Sequence, residues 1–344
     1  MTCKVRVLPS GHEFGVEAGE SVLDAALRQG VMLPYGCRNG TCGSCKGRLV
    51  SGELAYPDGR PPALSAAEQA AGMALFCRGM PRGDLSIEAR EASVRDFQVK
   101  RLPARLARKE LLAPDVMRLY LKLPAGLRLQ FLAGQYIDFL LPDGRHRSFS
   151  LANAPHDDEF VELHIRHVDR GEFTEYVFDY MKERSLARIE GPHGDFYLRE
   201  DSPRPMLLVA GGTGFAPIKG MLEHAFAAGI SRDMHLYWGA RAKADLYLDA
   251  LPQQWQEEYA NFRYTRVLSA PAPQDRWQGR TGFVHEALVA DHDELGGYDV
   301  YAAGPPAMVR ATRDACLARG LPPAQFFCDP FEFAPDVLAK AFKP

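Results

Sequence analysis

Cys37-Arg38-Asn39-Gly40-Thr41-Cys42-Gly43-Ser44-Cys45, closed at a distance by Cys77, gathers cysteines into one glycine-rich loop. The spacing C-x4-C-x2-C…C suits a [2Fe–2S] cluster, because each tetrahedral iron takes two bridging sulfides and two protein sulfurs. Gly36, Gly40, Gly43 and Gly47 let the backbone wrap closely and aim N–H groups at sulfur, which tunes the potential together with solvent exclusion. A zinc site or four buried structural cysteines are the competing readings. Zinc ribbons pair two short C-x2-C knuckles, whereas here a single distant cysteine completes the group. The pattern therefore favours iron, with Cys37, Cys42, Cys45 and Cys77 as ligands. Seven cysteines in all is an odd count, which argues against a disulfide framework. Cys3 and Cys316 read as small buried hydrophobes.

Around this loop, residues 1–92 have the pattern of a small mixed unit. Residues 2–8 and 12–17 look like two strands about a Pro9-Ser10-Gly11 turn. Ser21-Val22-Leu23-Asp24 has the spacing of a capping box, and Gly30 stands where a helix C-cap belongs. Ser65-Ala66-Ala67-Glu68 repeats the pattern for a short helix that Gly72 stops, and 85–88 supplies a last strand. From Glu91 to Arg101 charge replaces the apolar pattern, predicting a linker.

Beyond it, alternating stretches at 116–123, 136–141, 148–151 and 160–168 are punctuated by turns such as Pro142-Asp143-Gly144 and Gly191-Pro192-His193-Gly194. Short strands with frequent turns predict a small antiparallel barrel over 98–200. After Pro205 the pattern changes: 206–210 is a continuous apolar run, a glycine cluster follows, and 216–228 is helical. Residues 235–238, 262–268 and 299–303 are further strands with helices between them, which predicts a doubly wound parallel sheet over 203–344.

Three motifs lie on these elements. In Arg147-Ser148-Phe149-Ser150 the arginine offers a fork for phosphate, the aromatic a stacking face and Ser150 a hydroxyl; a surface arginine beside a strand is the bland alternative. Gly171-Glu172-Phe173-Thr174 leads into a helix whose N-terminus suits a pyrophosphate, or is a cap and nothing more. Gly211-Gly212-Thr213-Gly214-Phe215-Ala216-Pro217 follows an apolar strand and opens a helix. Its glycines allow close approach to a dinucleotide. It is neither G-x-G-x-x-G nor the lysine-containing P-loop. Ala303-Gly304-Pro305-Pro306 brings a second glycine turn to the same edge.

Bulk properties exclude other classes. The 344 residues are 46% hydrophobic and 25% charged, ample for several cores. A net charge of −3 gives no case for nucleic acid or an anionic membrane. No apolar run approaches the roughly 20 residues of a membrane span. The first ten residues read as a strand rather than a signal peptide, so a cytoplasmic location is expected.

The order of cysteine loop, RxFS barrel and GGTGxAP sheet resembles the ferredoxin–NADP reductase superfamily, over essentially the whole chain. More narrowly it is similar to the iron–sulfur flavoprotein reductases that serve ring-hydroxylating oxygenases. Leu33-Pro34-Tyr35-Gly36-Cys37-Arg38-Asn39-Gly40, Leu132-Ala133-Gly134-Gln135-Tyr136-Ile137-Asp138 and Arg147-Ser148-Phe149-Ser150-Leu151-Ala152-Asn153-Ala154-Pro155 look closest to the CDP-6-deoxy-Δ3,4-glucoseen reductase branch. The fold class this implies is multidomain α+β and α/β. It combines a β-grasp [2Fe–2S] ferredoxin, an antiparallel β-barrel flavin domain and a doubly wound parallel α/β nucleotide domain.

By that resemblance Arg147, Phe149 and Ser150 would hold FAD, with Ser150 near its N5. His164, Ile165 and Arg166 would meet its ribityl and pyrophosphate groups, and Thr174 would cap the pyrophosphate. Gly211, Gly212, Thr213, Gly214 and Pro217, with Gly304 and Pro305, would bind the nicotinamide nucleotide, Thr213 near its reactive end. Phe331, in Asp329-Pro330-Phe331, would shield the flavin face. Two departures stand out: Phe149 replaces the family's usual tyrosine, and Ala303 replaces the cysteine that lies beside the nicotinamide. Cys328 ends a neighbouring strand and is a candidate to lie nearby.

The implied reaction takes a hydride from NADH, with NADPH possible, and passes electrons singly to a cluster near about −400 mV. An electron-acceptor protein, an oxygenase or a deoxysugar dehydratase component, would receive them. An electron carrier with weakened hydride chemistry is the alternative that Ala303 raises.

Overall fold

Two units, Met1–Gln98 and Val99–Pro344, make up the computed structural model, which describes residues 2–29, 31, 33–35, 38–89, 99–125 and 127–332. In the first, period-two alternation builds a sheet. Its elements are β1 (Cys3–Leu8), β2 (Glu13–Val16), α1 (Val22–Arg28), β3 (Lys46–Ser51), β4 (Leu54–Ala55), α2 (Ala66–Ala70), β5 (Met73–Leu75), β6 (Met80–Pro81) and β7 (Leu85–Glu88). Five strands lie in the order β2-β1-β7-β3-β5. β1 runs parallel to β7 and the remaining neighbours are antiparallel. Val5, Val7, Val16 and Ile87 are fully buried, as are Val22, Leu23, Ala25 and Ala26 of α1. The expected capping is present: Asp24 N–H donates to Ser21 Oγ at 3.1 Å, and Ser65 and Glu68 close a reciprocal box. Gly30 lies outside the described residues.

The second unit opens with an antiparallel barrel of β8 (Lys100–Ala113), β9 (Val116–Lys122), β10 (Tyr136–Leu140), β11 (His146–Ser150), β12 (Val161–Arg166) and β13 (Leu186–His193). Their order is β11-β10-β13-β8-β9-β12, and a bridge between Leu151 and Leu163 joins the two ends. Between β12 and β13, α3 (Glu172–Glu175) and a π-helical turn at Tyr176–Tyr180 drop Phe173 and Val177 into the barrel core.

Two expectations are corrected here. Residues 100 and 101, read as linker, begin β8. Leu102, Ala104 and Leu106 point inward while Lys100, Arg101, Pro103 and Arg105 face water and mask the alternation. The turn read at Gly191-Pro192-His193-Gly194 is mostly strand, since β13 continues through His193. Gly191 lies flat on β10, where a Cβ would come within 2.7 Å of Ile137.

The parallel sheet follows: β14 (Met206–Gly211), α4 (Phe215–Ala227), β15 (Met234–Ala240), α5 (Ala250–Glu258), β16 (Phe262–Leu268), β17 (Arg280–Thr281), α6 (Val284–Asp291), β18 (Asp299–Gly304), α7 (Pro306–Ala318) and β19 (Phe326–Pro330). Met206, Leu208 and Ala210 pack with residues of α4 and α5, whereas Leu207 and Val209 pack with α6 and α7. Helices thus cover both faces. The order β17-β16-β15-β14-β18-β19 reverses direction between β14 and β18, and ligands of such sheets bind at that reversal, beyond the strands' C-terminal ends. Among the described residues no helix is long and apolar enough to cross a membrane.

Candidate cluster and dinucleotide sites

The cysteine loop is shaped by glycine. Gly40 has φ +86°, and a Cβ there would stand 2.8 Å from Pro61. Ser44 N–H points at Cys42 Sγ, 3.4 Å away. Cys45 and Cys77 are buried and Cys42 is half-buried; Cys37 lies outside the described residues. A hydrogen bond with Cys77, reinforced by burial, holds the Cys45 thiol well above its ordinary pKa. Thiols so placed ionise when a bound cation compensates the charge, so the described donors fit an iron–sulfur cluster. A cleft lies beside the loop, lined by Ser21, Asp24, Tyr56, Asp58, Cys77 and Arg78.

At the sheet's reversal point β14 ends in a 3-10 turn, Gly212–Gly214, that feeds α4. This turn lies so close to β18 that a Cβ on Gly214 would be 2.0 Å from the Ala303 carbonyl oxygen. Pro305 packs on Gly211 in the same way, 2.8 Å from where its Cβ would be. Thr213 is buried within the turn, and Pro217 is buried in the first turn of α4. Trp238 Nε1 donates to Gly212 O at 3.0 Å, and its ring stacks on Phe215 at 4.0 Å.

The barrel meets this turn with two side chains. Arg166 leaves the end of β12, pairs through Nη1 with Asp115 at 3.0 Å, and brings Nη2 to 3.2 Å from the Cβ position of Gly212. That Nη2 is buried with no hydrogen-bond partner among the described residues, so the site suits an anionic group. Ser150 ends β11 and donates from Oγ to Asp329 Oδ2 at 2.9 Å. Asp329 is paired with Ala303 across β18 and β19, and Phe331 N–H donates to Gly304 O at 2.8 Å. Ser150, Ala303, Asp329 and Gly214 therefore converge.

The remaining expected flavin residues line the barrel. Arg147 is half-buried on β11, with Nη1 donating to the His146 carbonyl at 2.8 Å. Phe149 packs against Phe139 and Phe173, with ring centroids 5.8 and 5.6 Å away. The side chains of His164 and Ile165 are buried, leaving their backbone and Arg166 to face a ligand. Thr174 Oγ1 donates to Gly171 O at 2.9 Å and accepts from Val168 N–H at 3.1 Å, so its hydroxyl shapes the turn. Cys328 packs with the α6–α7 side of the sheet and Ala303 with the α4 side; Cys328 does not replace the missing thiol.

Sequence reasoning missed a buried polar chain behind the site. His164 Nδ1 lies 3.0 Å from Tyr247 Oη, and its Nε2 lies 2.9 Å from Glu162 Oε1. Lys219 Nζ donates to Glu162 Oε2 at 3.2 Å, Glu223 Oε2 at 2.9 Å and Ala152 O at 3.1 Å. Burial alone would raise the Glu162 carboxyl, but the His164 hydrogen bond and the Lys219 charge outweigh it and hold it at about 2. Burial lowers His164 against the pull of Glu162. The available signal was a charge inside an apolar stretch: Lys219 in an otherwise apolar turn of α4, and Glu162 in β12.

Comparison with known families matches residues 2–82 to a "2Fe-2S iron-sulfur cluster binding domain", 103–197 to an "Oxidoreductase FAD-binding domain" and 208–314 to an "Oxidoreductase NAD-binding domain". The CDP-6-deoxy-L-threo-D-glycero-4-hexulose-3-dehydrase reductase of Yersinia pestis is 38% identical over 332 residues, covering 96% of this chain and 99% of that one. The chain belongs to the iron–sulfur flavoprotein reductases. Terephthalate 1,2-dioxygenase reductase component 2 of a Comamonas species is 37% identical over 340 residues, 97% of this reductase and 99% of the relative. The crystal structure of an Amycolatopsis cytochrome P450 reductase superimposes with a TM-score of 0.79 at 36% identity, covering 96% of this chain and 99% of that chain. The cofactors of the reductase are a [2Fe–2S] cluster, FAD and a nicotinamide nucleotide, and the expected fold class holds.

Proposed function

We propose that this reductase draws electrons from NADH and delivers them through FAD and the cluster to the metal centre of a separate oxygenase component. The observation that carries the reading is the convergence of Ser150, Asp329, Ala303 and Gly214 at one point. The reading divides the chain at 1–92, 98–200 and 203–344 into cluster, flavin and nucleotide domains.

When bound, flavin accepts a hydride as one pair and releases electrons singly, which matches a two-electron donor to a one-electron cluster. The protein's part is placement. Arg147 and Arg166 hold the flavin's phosphates, and Phe149 gives an apolar face. The carbonyl and N–H groups of His164 and Ile165 line its chain, and Thr174 keeps the adjoining turn in shape. Ser150 presents its hydroxyl to the ring, oriented by Asp329. Gly211, Gly212, Thr213, Gly214 and Pro217, with Gly304 and Pro305 opposite, form the nucleotide cradle. Phe331, tied to Gly304 through its N–H, would shield the flavin face. The cleft lined in part by Cys77 is where an acceptor protein would approach the cluster.

A dehydratase component is the second reading, because the Yersinia relative at 38% identity is named for a hexulose dehydrase. Purified Cys42→Ser protein tests the core of the proposal. One iron then faces a harder oxygen ligand, and the cluster is lost or labile. NADH-to-ferricyanide activity, normalised to bound FAD, is expected to persist, whereas reduction of cytochrome c or an oxygenase component fails. Parallel loss of both activities would refute the division of labour.

A further inference from the structure

Lys219 is 5% exposed on α4, five residues after the nucleotide turn ends at Gly214. Its ammonium reaches out of the sheet half of the unit and binds the barrel at two points. One is the Ala152 carbonyl, two residues after Ser150; the other is Glu162, two residues before His164. Ala152 N–H in turn donates to Glu162 O at 2.9 Å. A second contact of the same kind lies alongside: Tyr247, between β15 and α5, meets His164. Gly220 shows how closely the parts fit, since a Cβ there would be 2.8 Å from the Asn153 carbonyl oxygen.

A buried ammonium among a carbonyl and two carboxylates is costly to desolvate. Among the described residues neither Lys219 nor Glu162 hydrogen-bonds Ser150 or Gly214. Surrounding charges are accounted for: Arg118 lies 3.8 Å from Glu162 and pairs with Glu110, and Glu223 caps the other side of Lys219. What the pair does fix is the position of residues 150–152 relative to the start of α4.

We infer that Lys219 and Glu162 form a positioning pair that holds the Ser150 segment of the barrel in register with the 212–214 turn. The pair sets the rate of hydride transfer and leaves the affinity for either cofactor nearly untouched. This rests on the reading of Ser150 and the 212–214 turn as the flavin and nicotinamide contacts. Placement errors of this kind act on rate steeply, because reacting atoms must meet within a narrow range of distance.

The test uses holoenzyme of Lys219→Met, Lys219→Arg and the double variant Lys219→Met/Glu162→Gln, which removes the Glu162 charge along with its partner and leaves Glu223, the more exposed of the two carboxylates. Flavin reduction by NADH is followed by stopped flow, with FAD content and the long-wavelength charge-transfer absorbance of reduced enzyme mixed with NAD+. Lys219→Met and the double variant are expected to lose about tenfold or more in the limiting rate and to show a weakened charge-transfer band. FAD content and NADH affinity should stay within about twofold, and Lys219→Arg should recover part of both signals. The double variant at the parental rate with a parental band would overturn the inference, as would a rate loss that merely follows FAD loss. Ser150→Ala separates the two readings: if it reduces as fast as the parent, the site assignment is at fault and not the pair.

Discussion

Replacing Gly214 with alanine asks for the smallest side chain at the tightest point of the nucleotide turn. The new Cβ would stand 2.0 Å from the Ala303 carbonyl oxygen and 2.8 Å from the Gly304 nitrogen, both backbone atoms. Non-bonded carbon needs about 1 Å more than that, and a packed interior does not stretch to give it. β18 cannot retreat, because it is hydrogen-bonded to β14 on one side and β19 on the other. The turn must therefore move. Overpacking of this sort costs about 1–3 kcal/mol of stability, and a misplacement of about 1 Å at reacting groups costs on the order of a hundredfold in rate. Gly297→Ala is the control, since a Cβ there meets nothing within 4 Å. The assay is stopped-flow reduction of bound flavin by NADH, with thermal unfolding on the same samples. Gly214→Ala reducing at the parental rate with an unchanged midpoint would refute the close-approach argument.

Ala303→Cys places a thiol on the face that also holds Asp329; folding should survive and flavin reduction should quicken, whereas stopped-flow traces that slow or do not change would show that Asp329 and Ser150 already fill that role. Glu162 titrates lower in the folded protein than its ordinary 4.5, near about 2. Its contribution of about 3 kcal/mol is fully present above roughly pH 4.5 and is lost as pH falls towards 2. Glu162→Gln should lack this segment of the acid-unfolding curve, and an identical curve would contradict the buried pairing. NADH should be preferred to NADPH: the Asp245 and Asp275 carboxylates accept the Ala242 and Lys243 N–H groups just after β15, at 3.1 and 3.4 Å. These carboxylates would disfavour a 2′-phosphate there in spite of Arg241 and Lys243, and a tenfold advantage for NADPH in steady-state efficiency would reverse this assignment.

What could be read from the chain beforehand follows from how local each constraint is. The cluster loop was legible because iron coordination fixes ligand type and spacing within one short stretch. The nucleotide turn was legible because a backbone approach as close as that of Gly214 to Ala303 admits only glycine. β8 was hidden because its outward residues include Lys100, Arg101 and Arg105, so the stretch resembles a charged linker. β13 was hidden by a Gly-Pro pair that ordinarily marks a turn. His164 was assigned to the flavin region, but burial in β12 turns its ring into the Glu162–Tyr247 chain. Glu162 is a near neighbour in β12, but Tyr247 lies 83 positions away, a partner that no local pattern encodes. The same holds for Asp329, whose carboxylate matters only once β19 lies against β18.

The Ser150–Asp329 hydrogen bond spans 179 positions of sequence. At translation speeds of about 5–20 residues per second, the ribosome needs roughly ten to forty seconds to get from one partner to the other. Throughout that interval the serine end of the barrel exists without the strand that orients it. The cluster-binding segment, by contrast, has emerged whole well before. Synthesis is therefore staggered, with the cluster-binding segment made well before the strand that carries Asp329.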